Sequence, residues 1–114
     1  MKIEKFEDIL AWQKAKELNI LIYASFKPCR DYSFRDQIQR AAVSIMNNIA
    51  EGYERQTNKE LKQFLYIAKG SCGEVRSMLD LALAVNLIPE AEYQKAYNYS
   101  LEISRMLSGF IKTL

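Results

Sequence analysis

Apolar residues recur at steps of three and four positions along most of this chain, the spacing of residues on one face of an α-helix. The densest such segment runs from Gln37 to Gly52 without a proline. The face that it predicts consists of Ile38, Ala41, Ala42, Ile45 and Ile49, widened by Val43, Met46 and Ala50. Because a helix this apolar contacts more than one neighbour, we expect the segment to be central to a helical assembly.

The residues before this segment predict a first helix over residues 8–27. Asp8 is a residue type that caps helix starts, and Pro28 ends the helix because the residue before a proline is pushed out of helical geometry. The apolar positions of this helix are Ile9, Trp12, Ala15, Leu18, Ile22 and Phe26. Trp12 is either an aromatic binding contact or a core anchor, and its place in the apolar series favours the core.

The second helix is predicted to begin at a loop after Pro28. Ser33 followed by Asp36 approximates a capping box, in which each side chain bonds the other residue's backbone. The helix then continues to about Tyr53 or Glu54, with Gly52 at its fraying end.

The third helix begins with a fuller capping box, Thr57 followed by Glu60, and continues to about Val85. Its predicted core face is Leu61, Phe64, Leu65, Ala68, Cys72, Val75, Leu79 and Ala82. Gly70 and Gly73 lie inside this helix, where each glycine costs up to about 1 kcal/mol relative to alanine, so we expect both to allow close approach of a neighbouring helix. A phosphate-binding loop at Gly70 is excluded because the spaced glycines before the lysine and a preceding strand are missing.

The fourth helix is predicted to continue to about Lys112. Asn86 suits the left-handed backbone that ends a helix, and Pro89 suits the first position of the next one. Glu90 and Glu92 then lie at the positive end of the helix dipole. Three tyrosines on this helix either stack on nucleobases or pack half-buried with wet hydroxyls, and the second interpretation is favoured: Tyr93, Tyr97 and Tyr99.

Four amphipathic helices joined by short loops predict an all-α, up-down-up-down four-helix bundle that forms a single domain over residues 1–114. About half of the residues are apolar and about a quarter are charged, an ordinary balance for a globular protein. A chain of this length buries a core without disulfides or metals.

Composition narrows the cellular location and the chemistry. No run of about 18 apolar residues is present, and residues 1–8 alternate in charge without an apolar signal core, so we expect a cytoplasmic protein that does not span a membrane. In that compartment Cys29 and Cys72 are expected to be free thiols. Histidine, the commonest general base and metal ligand, is absent, so we expect no cofactor and no metal.

The best candidate for a catalytic site is the polar side of the second helix, which carries Arg40, Ser44, Asn48 and Glu51. A serine with a glutamate but without a histidine or neighbouring lysine is a poor nucleophile. We expect Asn48 to bond a loop backbone and Arg40 to form an ion pair with Glu51. The sequence therefore predicts no catalytic residue and no enzyme.

Three motifs carry a family resemblance over nearly the whole chain. They are Trp12-Gln13-Lys14-Ala15-x-x-Leu18, Gln37-x-x-Arg40-Ala41-Ala42-Val43-Ser44-Ile45-x-x-Asn48-Ile49-Ala50-Glu51-Gly52 and Phe64-Leu65-x-Ile67-Ala68-x-Gly70-Ser71-x-x-Glu74. In this order they resemble the bacterial four-helix-bundle proteins encoded in intervening sequences of 23S ribosomal RNA genes. The family usually has a proline where this chain has Met46 and a small residue where it has Asn47, which should straighten the second helix.

The resemblance implies a left-handed bundle that assembles as a ring, typically a homopentamer, with no known enzymatic activity. Related accessory proteins of diversity-generating retroelements form basic pentamers that bind nucleic acid and a reverse transcriptase. The resemblance therefore implies binding of RNA or DNA, with a protein partner as a further possibility.

The net charge of +2 permits nucleic-acid binding if basic residues segregate. Lys62, Lys69 and Arg76 recur every seven residues and predict one exposed basic row on the third helix. The candidate nucleic-acid-binding residues are Arg35, Arg40, Arg55, Lys59, Lys62, Lys69 and Arg76. Local ion pairs, such as Arg76 with Asp80, would make the same residues an ordinary solvated face.

The third helix also carries more apolar residues than one core uses. Contact with a second copy of the chain would bury them, and the candidate oligomer interface is Ile67, Gly70, Met78, Leu81 and Val85. The alternative function is a structural or partner-scaffolding protein that binds no nucleic acid.

Overall fold

Four long helices and a short 3₁₀ turn make up the computed structural model, which describes residues 3–114. Met1 and Lys2, part of the segment predicted to lack a signal core, lie outside the described residues. The 3₁₀ turn is Phe6–Asp8, and the helices are α1 (Leu10–Phe26), α2 (Tyr32–Tyr53), α3 (Asn58–Ala84) and α4 (Glu90–Lys112).

The four helices close into one bundle. Each helix contacts its neighbours in sequence, and α1 also contacts α4. The connections are short, which makes consecutive helices antiparallel. At 1.5 Å per residue α3 spans about 40 Å, and the longest dimension of the molecule is 42 Å, so α3 runs its full length. The prediction of an all-α, up-down-up-down four-helix bundle is confirmed.

All four helices contribute to the core along the predicted faces, except that Phe64, predicted as a core residue, is half-buried outside the core and contacts Arg55. The largest fully buried side chains are Phe26, Leu18, Ile22, Ile38, Ile45, Ile49, Leu65, Leu79, Ile103, Leu107, Val75 and Cys72. Trp12 packs against this core with its ring 5.2 Å from that of Phe6, which confirms the core interpretation. Cys29 and Cys72 are buried free thiols, as predicted, and burial raises the pKa of Cys72 to about 11.

The starts of α1 and α2 differ from the predictions. Asp8 does not cap α1: it belongs to the 3₁₀ turn, and its Oδ2 accepts from the backbone N–H of Glu4 at 3.1 Å. Asp31, rather than Ser33, caps α2 by accepting from the N–H of Phe34 at 3.1 Å. At α2 two residues able to cap lie close together, and the path of the loop selects Asp31. At α1 the helix begins without a side-chain cap, because Asp8 is held in the 3₁₀ turn.

The two ends of α3 follow the sequence closely. The Thr57 hydroxyl accepts from the N–H of Glu60 at 3.1 Å, which confirms the capping residue. At the other end Asn86 has φ 61°, and the N–H of Leu87 donates to the carbonyl of Ala82 at 2.8 Å, the closing bond of a Schellman motif. Pro89 precedes α4 instead of opening it, because its ψ of 148° is extended.

The close approach predicted for Gly70 and Gly73 is wrong within the described chain. No atom lies within 4 Å of a Cβ built on Gly70, and the one built on Gly73 meets only Arg76, of its own helix, at 3.8 Å. Gly52 makes the close approach instead. It is buried inside α2 rather than at a fraying end, and it faces Phe64 and the start of α3.

Candidate nucleic-acid interface

The basic row on α3 faces α4 and is half-buried, so the prediction of an exposed row is wrong. Nη1 of Arg76 donates to the Ser100 hydroxyl at 3.1 Å and to the Ser100 carbonyl at 3.4 Å, which ties the guanidinium to α4. The expected pair of Arg76 with Asp80 does not form, because Asp80 accepts from the hydroxyl of Tyr93. Lys62 and Lys69 form no ion pair within residues 3–114.

Arg55 is engaged at the connection between α2 and α3. Its guanidinium lies 3.0 Å from the carboxylate of Glu51 and 3.9 Å from that of Glu60, and it stacks 4.8 Å from the ring of Phe64. Glu51 therefore pairs with Arg55, and the predicted pair of Arg40 with Glu51 is wrong. The helix places Arg40 three turns away from Glu51, too far for contact.

Arg35 and Arg40 lie on the side of the bundle formed by α1 and α2. The Arg35 guanidinium stacks 4.8 Å from the ring of Tyr32 and approaches the Asp36 carboxylate at 3.8 Å. Arg40 is exposed and lines a depression on each side of α2. The seven predicted cations therefore do not form one surface. Arg35 and Arg40 lie on α2, whereas the other helix, α3, carries Lys59, Lys62, Lys69 and Arg76.

The polar side of α2 forms a hydrogen-bonded chain to α3. Nδ2 of Asn48 donates to the Ser44 carbonyl at 2.8 Å and to the Ser44 hydroxyl at 2.9 Å, and that hydroxyl lies 3.0 Å from the hydroxyl of Ser71. Asn48 thus bonds its own helix, and the predicted bond to a loop is wrong. The arrangement ties the Ser44 hydroxyl to two neighbours and fixes how α2 and α3 face each other.

A polar groove opens beside this chain, between α2 and α3. It is lined by Gln37, Arg40, Ala41, Ser44 and Glu74. Glu74 was not assigned to a site from the sequence, although it ends the third motif of the resemblance. The groove therefore joins the second and third motifs in space, and an arginine and a glutamate stand at its rim.

A second groove, which the sequence analysis missed, runs between α1 and α2. Two adjoining depressions form it, and both are lined by Tyr23 and Gln39. One of them also contains Lys27 and Arg35, and the other contains Asp36 and Arg40, so three cations and one carboxylate line the groove. Tyr23 is 48% exposed. The signal that could have revealed this groove is charge: α1 carries Lys27 at its end and α2 carries two arginines on the facing turns.

The tyrosines of α4 are half-buried packing residues, as favoured above. The rings of Tyr93 and Tyr97 lie 5.5 Å apart, and the ammonium of Lys14 lies 4.0 Å above the ring of Tyr99. The hydrogen bond from the Tyr93 hydroxyl to Asp80 raises the pKa of Tyr93 to about 12. Each of these rings therefore contacts a neighbouring side chain within the bundle.

An apolar row on α3 lies on the α2 side, opposite the basic row. Ile67, Leu81 and Val85 are 52%, 54% and 52% exposed, and Met78 beside them is half-buried. Gly70, at the edge of the row, has open space around it. The oligomer interface assigned to these residues stays a prediction.

No helix among residues 3–114 combines the length and apolar character needed to cross a membrane. Within the same residues, no cluster of acidic and cysteine side chains could hold a metal ion.

Comparison with known proteins gives a consistent family assignment. No curated protein sequence matches this chain significantly. A crystal structure from Bacteroides thetaiotaomicron, described as a protein with unknown function from the S23 ribosomal protein family, superposes with a TM-score of 0.85. That protein is 26% identical in sequence, and the match covers 90% of this chain and 99% of the other. The model of the 23S rRNA-intervening sequence protein family matches residues 7–109, so this chain belongs to that family.

Proposed function

We propose that this protein is a non-enzymatic homo-oligomer that binds RNA or DNA in the cytoplasm as an accessory factor. The segregation of charge is the observation that carries the proposal. Between Leu18 and Ala50 the chain has four basic side chains and two acidic ones, whereas the rest of the chain has twelve of each. The entire excess of positive charge therefore belongs to α1, α2 and the loop between them, which favours contact with a polyanion.

The distribution of ion pairs also supports contact of this segment with a polyanion. Four of the five ion pairs formed within residues 3–114 lie outside this segment. The remaining pair, Arg35 with Asp36, is an exposed contact at 3.8 Å that a phosphate could displace. Lys27 and Arg40 have no carboxylate within ion-pair distance in the described chain.

Assembly is supported by the apolar row on α3. Ile67, Leu81 and Val85 are spaced to form one stripe, and each exposes about half of its surface. A stripe of this kind is buried at low cost against a second copy of the same chain. The family resemblance favours a closed ring of five copies, and a ring would also multiply the basic surface.

The absence of enzymatic activity is supported by the hydrogen bonds on the polar side of α2. The Ser44 hydroxyl lies between Asn48 and Ser71, and the chain contains no histidine that could take its proton. These groups hold α2 against α3 rather than activating a nucleophile.

Binding assays over a range of salt concentrations test the proposal. The purified protein is titrated into fluorescently labelled RNA and DNA, and anisotropy is measured from low to moderate salt. We expect binding to both nucleic acids with an affinity that falls steeply as salt rises, because counterion release drives it. Absence of binding at the lowest salt would refute the nucleic-acid function.

A structural or partner-scaffolding role is the second candidate, and the apolar row on α3 favours it independently of charge. This role predicts a stable oligomer that binds neither RNA nor DNA. Light scattering coupled to size exclusion, performed on the same samples as the binding assay, separates the two candidates.

A further inference from the structure

The groove between α1 and α2 combines an exposed aromatic ring with three cations, of which Lys27 and Arg40 form no ion pair in the described chain. Tyr23 stands in the middle of the groove, where the two depressions meet. Lys27 and Arg35 line one side of it and Arg40 lines the other. From these positions we propose that the groove binds a single-stranded nucleic acid, with one base stacked on Tyr23 and phosphates held by the three cations. This inference rests on the function proposed above and gives it a location.

Single-stranded nucleic acid is the ligand that these groups fit. An aromatic side chain next to a cationic groove is the arrangement that binds single strands, since every base has a face that stacks and every nucleotide carries a phosphate. A duplex keeps its bases stacked inside, so an isolated tyrosine between two helices has no base to contact. The side-chain amide of Gln39, which lines both depressions, adds a donor and an acceptor near a stacked base.

The local acidic residues are already engaged and leave the groove positive. The Asp31 carboxylate caps α2 by accepting from the N–H of Phe34, and the Asp36 carboxylate pairs with Arg35. Arg35 also stacks on Tyr32, which is 58% exposed at the end of the groove. A strand that leaves Tyr23 toward the loop would therefore meet a second aromatic and cationic pair.

The basic row on α3 is the alternative nucleic-acid site within the same protein. Its Arg76 is bonded to Ser100, and its members are half-buried against α4. No exposed aromatic side chain lines the depression beside Lys59 and Lys62.

Tyr66, which is 56% exposed, lies about one helical turn from Lys62 and from Lys69, so this surface of α3 also places an aromatic ring beside cations. The α1–α2 groove differs because its cations come from both sides of Tyr23 and, within the described residues, none of them is bonded to a neighbouring helix as Arg76 is.

Anisotropy titrations with labelled oligouridylate and oligothymidylate of about ten nucleotides test the groove. Tyr23→Ala should weaken binding to both strands by roughly 5- to 150-fold, the effect of losing one base stack. Tyr23→Phe should keep the parent affinity because a phenyl ring also stacks. Tyr66→Ala removes the similarly exposed tyrosine beside Lys62 and Lys69 on α3, so it tests the rival surface and should leave the affinity unchanged.

The cations are tested by salt dependence. Replacing Lys27, Arg35 and Arg40 together by glutamine should lower the slope of log affinity against log salt by about 2, because three phosphate contacts are lost. The same change at Lys59, Lys62 and Lys69 removes equal charge from the rival surface and should leave most of the affinity. Melting curves and light scattering on every variant show whether fold and assembly are intact.

The outcomes separate this inference from the function on which it rests. If the parent protein binds no nucleic acid, both the groove inference and the proposed function are refuted. If the parent binds and Tyr23→Ala binds equally well, the groove is not the binding site, although the proposed function stands. The same conclusion follows if only the α3 triple variant loses affinity. If Tyr23→Ala loses binding only together with a lower mass in light scattering, the groove is a contact between copies and the inference is overturned.

Discussion

A Cβ atom added to Gly52 would lie 2.7 Å from the Cβ atom of Phe64. Two carbon atoms in van der Waals contact stay about 3.5–4.0 Å apart, so only glycine allows α2 and α3 to approach this closely. Leu61 completes the contact, with its Cδ1 3.1 Å from the same position. This contact fixes the spacing of the two helices at that end of the bundle.

We expect Gly52→Ala to destabilise the protein by on the order of 1–3 kcal/mol, because the atoms that it meets are close to the backbone of α3 and have little room to move. Urea denaturation followed by circular dichroism measures the change. Gly109→Ala is the matched control: its Cβ meets no atom within 4 Å in the described chain. That control should be neutral or stabilising by up to about 1 kcal/mol. Equal midpoints for the two variants would contradict the prediction.

Asn19 links α1 to α2 from a buried position. Its Nδ2 donates to the carbonyl of Ala15 at 2.9 Å and to that of Ala42 at 2.8 Å. Asn19→Asp keeps the shape but turns a carboxylate oxygen toward both carbonyls. We expect a loss of about 3–5 kcal/mol at neutral pH, as for an uncompensated buried charge.

The loss of folding stability caused by Asn19→Asp should depend on pH. Burial and the two carbonyls raise the pKa of the introduced carboxyl in the folded protein above its unfolded value of about 3.9. The variant should therefore recover stability as pH falls through the folded pKa toward the unfolded value, and lose it again as pH rises. Asn47→Asp, at an exposed position of α2, is the control. A deficit that stays constant over this range would rule the explanation out.

Tyr93 should titrate at a higher pH than an ordinary tyrosine. Its hydrogen bond to Asp80 raises its pKa to about 12. Since the unfolded value is about 10, the contribution of the pair to stability is present below pH 10 and is lost as pH rises through about 12. Asp80→Asn should move the highest tyrosinate transition in the ultraviolet spectrum to lower pH. Glu74→Gln, the same charge change elsewhere on α3, should leave that transition in place, and the prediction fails if both variants match the parent.

Assembly should depend on the apolar row of α3. Leu81→Glu or Met78→Glu places a charge in that row, so either variant should release folded monomers that are prone to aggregate. Asn98→Glu, at an exposed position of α4 away from this row, is the control and should keep the parent mass. The parent interface should bury upwards of roughly 2,000 Å² in total. A monodisperse parent monomer at micromolar concentration, seen by light scattering coupled to size exclusion, would end the ring hypothesis.

The sequence by itself determined the helices, their buried faces and two of their ends. These features depend on residues close in the chain, which is why periodicity identified Ile38, Ile45 and Ile49 as core positions. The Thr57 cap and the left-handed Asn86 were also predictable, since each satisfies backbone groups within one turn of itself. Where several capping residues compete, as Asp31 and Ser33 do, local preference no longer decides.

Only the tertiary structure decided which groups meet across helices. The sequence placed the close approach at Gly70, yet it occurs at Gly52, because the register between α2 and α3 brings that residue against Phe64. The packing of α3 on α4 likewise ties Arg76 to Ser100 instead of to Asp80. The groove at Tyr23 exists because the packing of α1 on α2 brings together residues whose distance in the chain carries no information about contact. Small rotations of a helix about its axis change every such partner, and the packed core alone fixes those rotations.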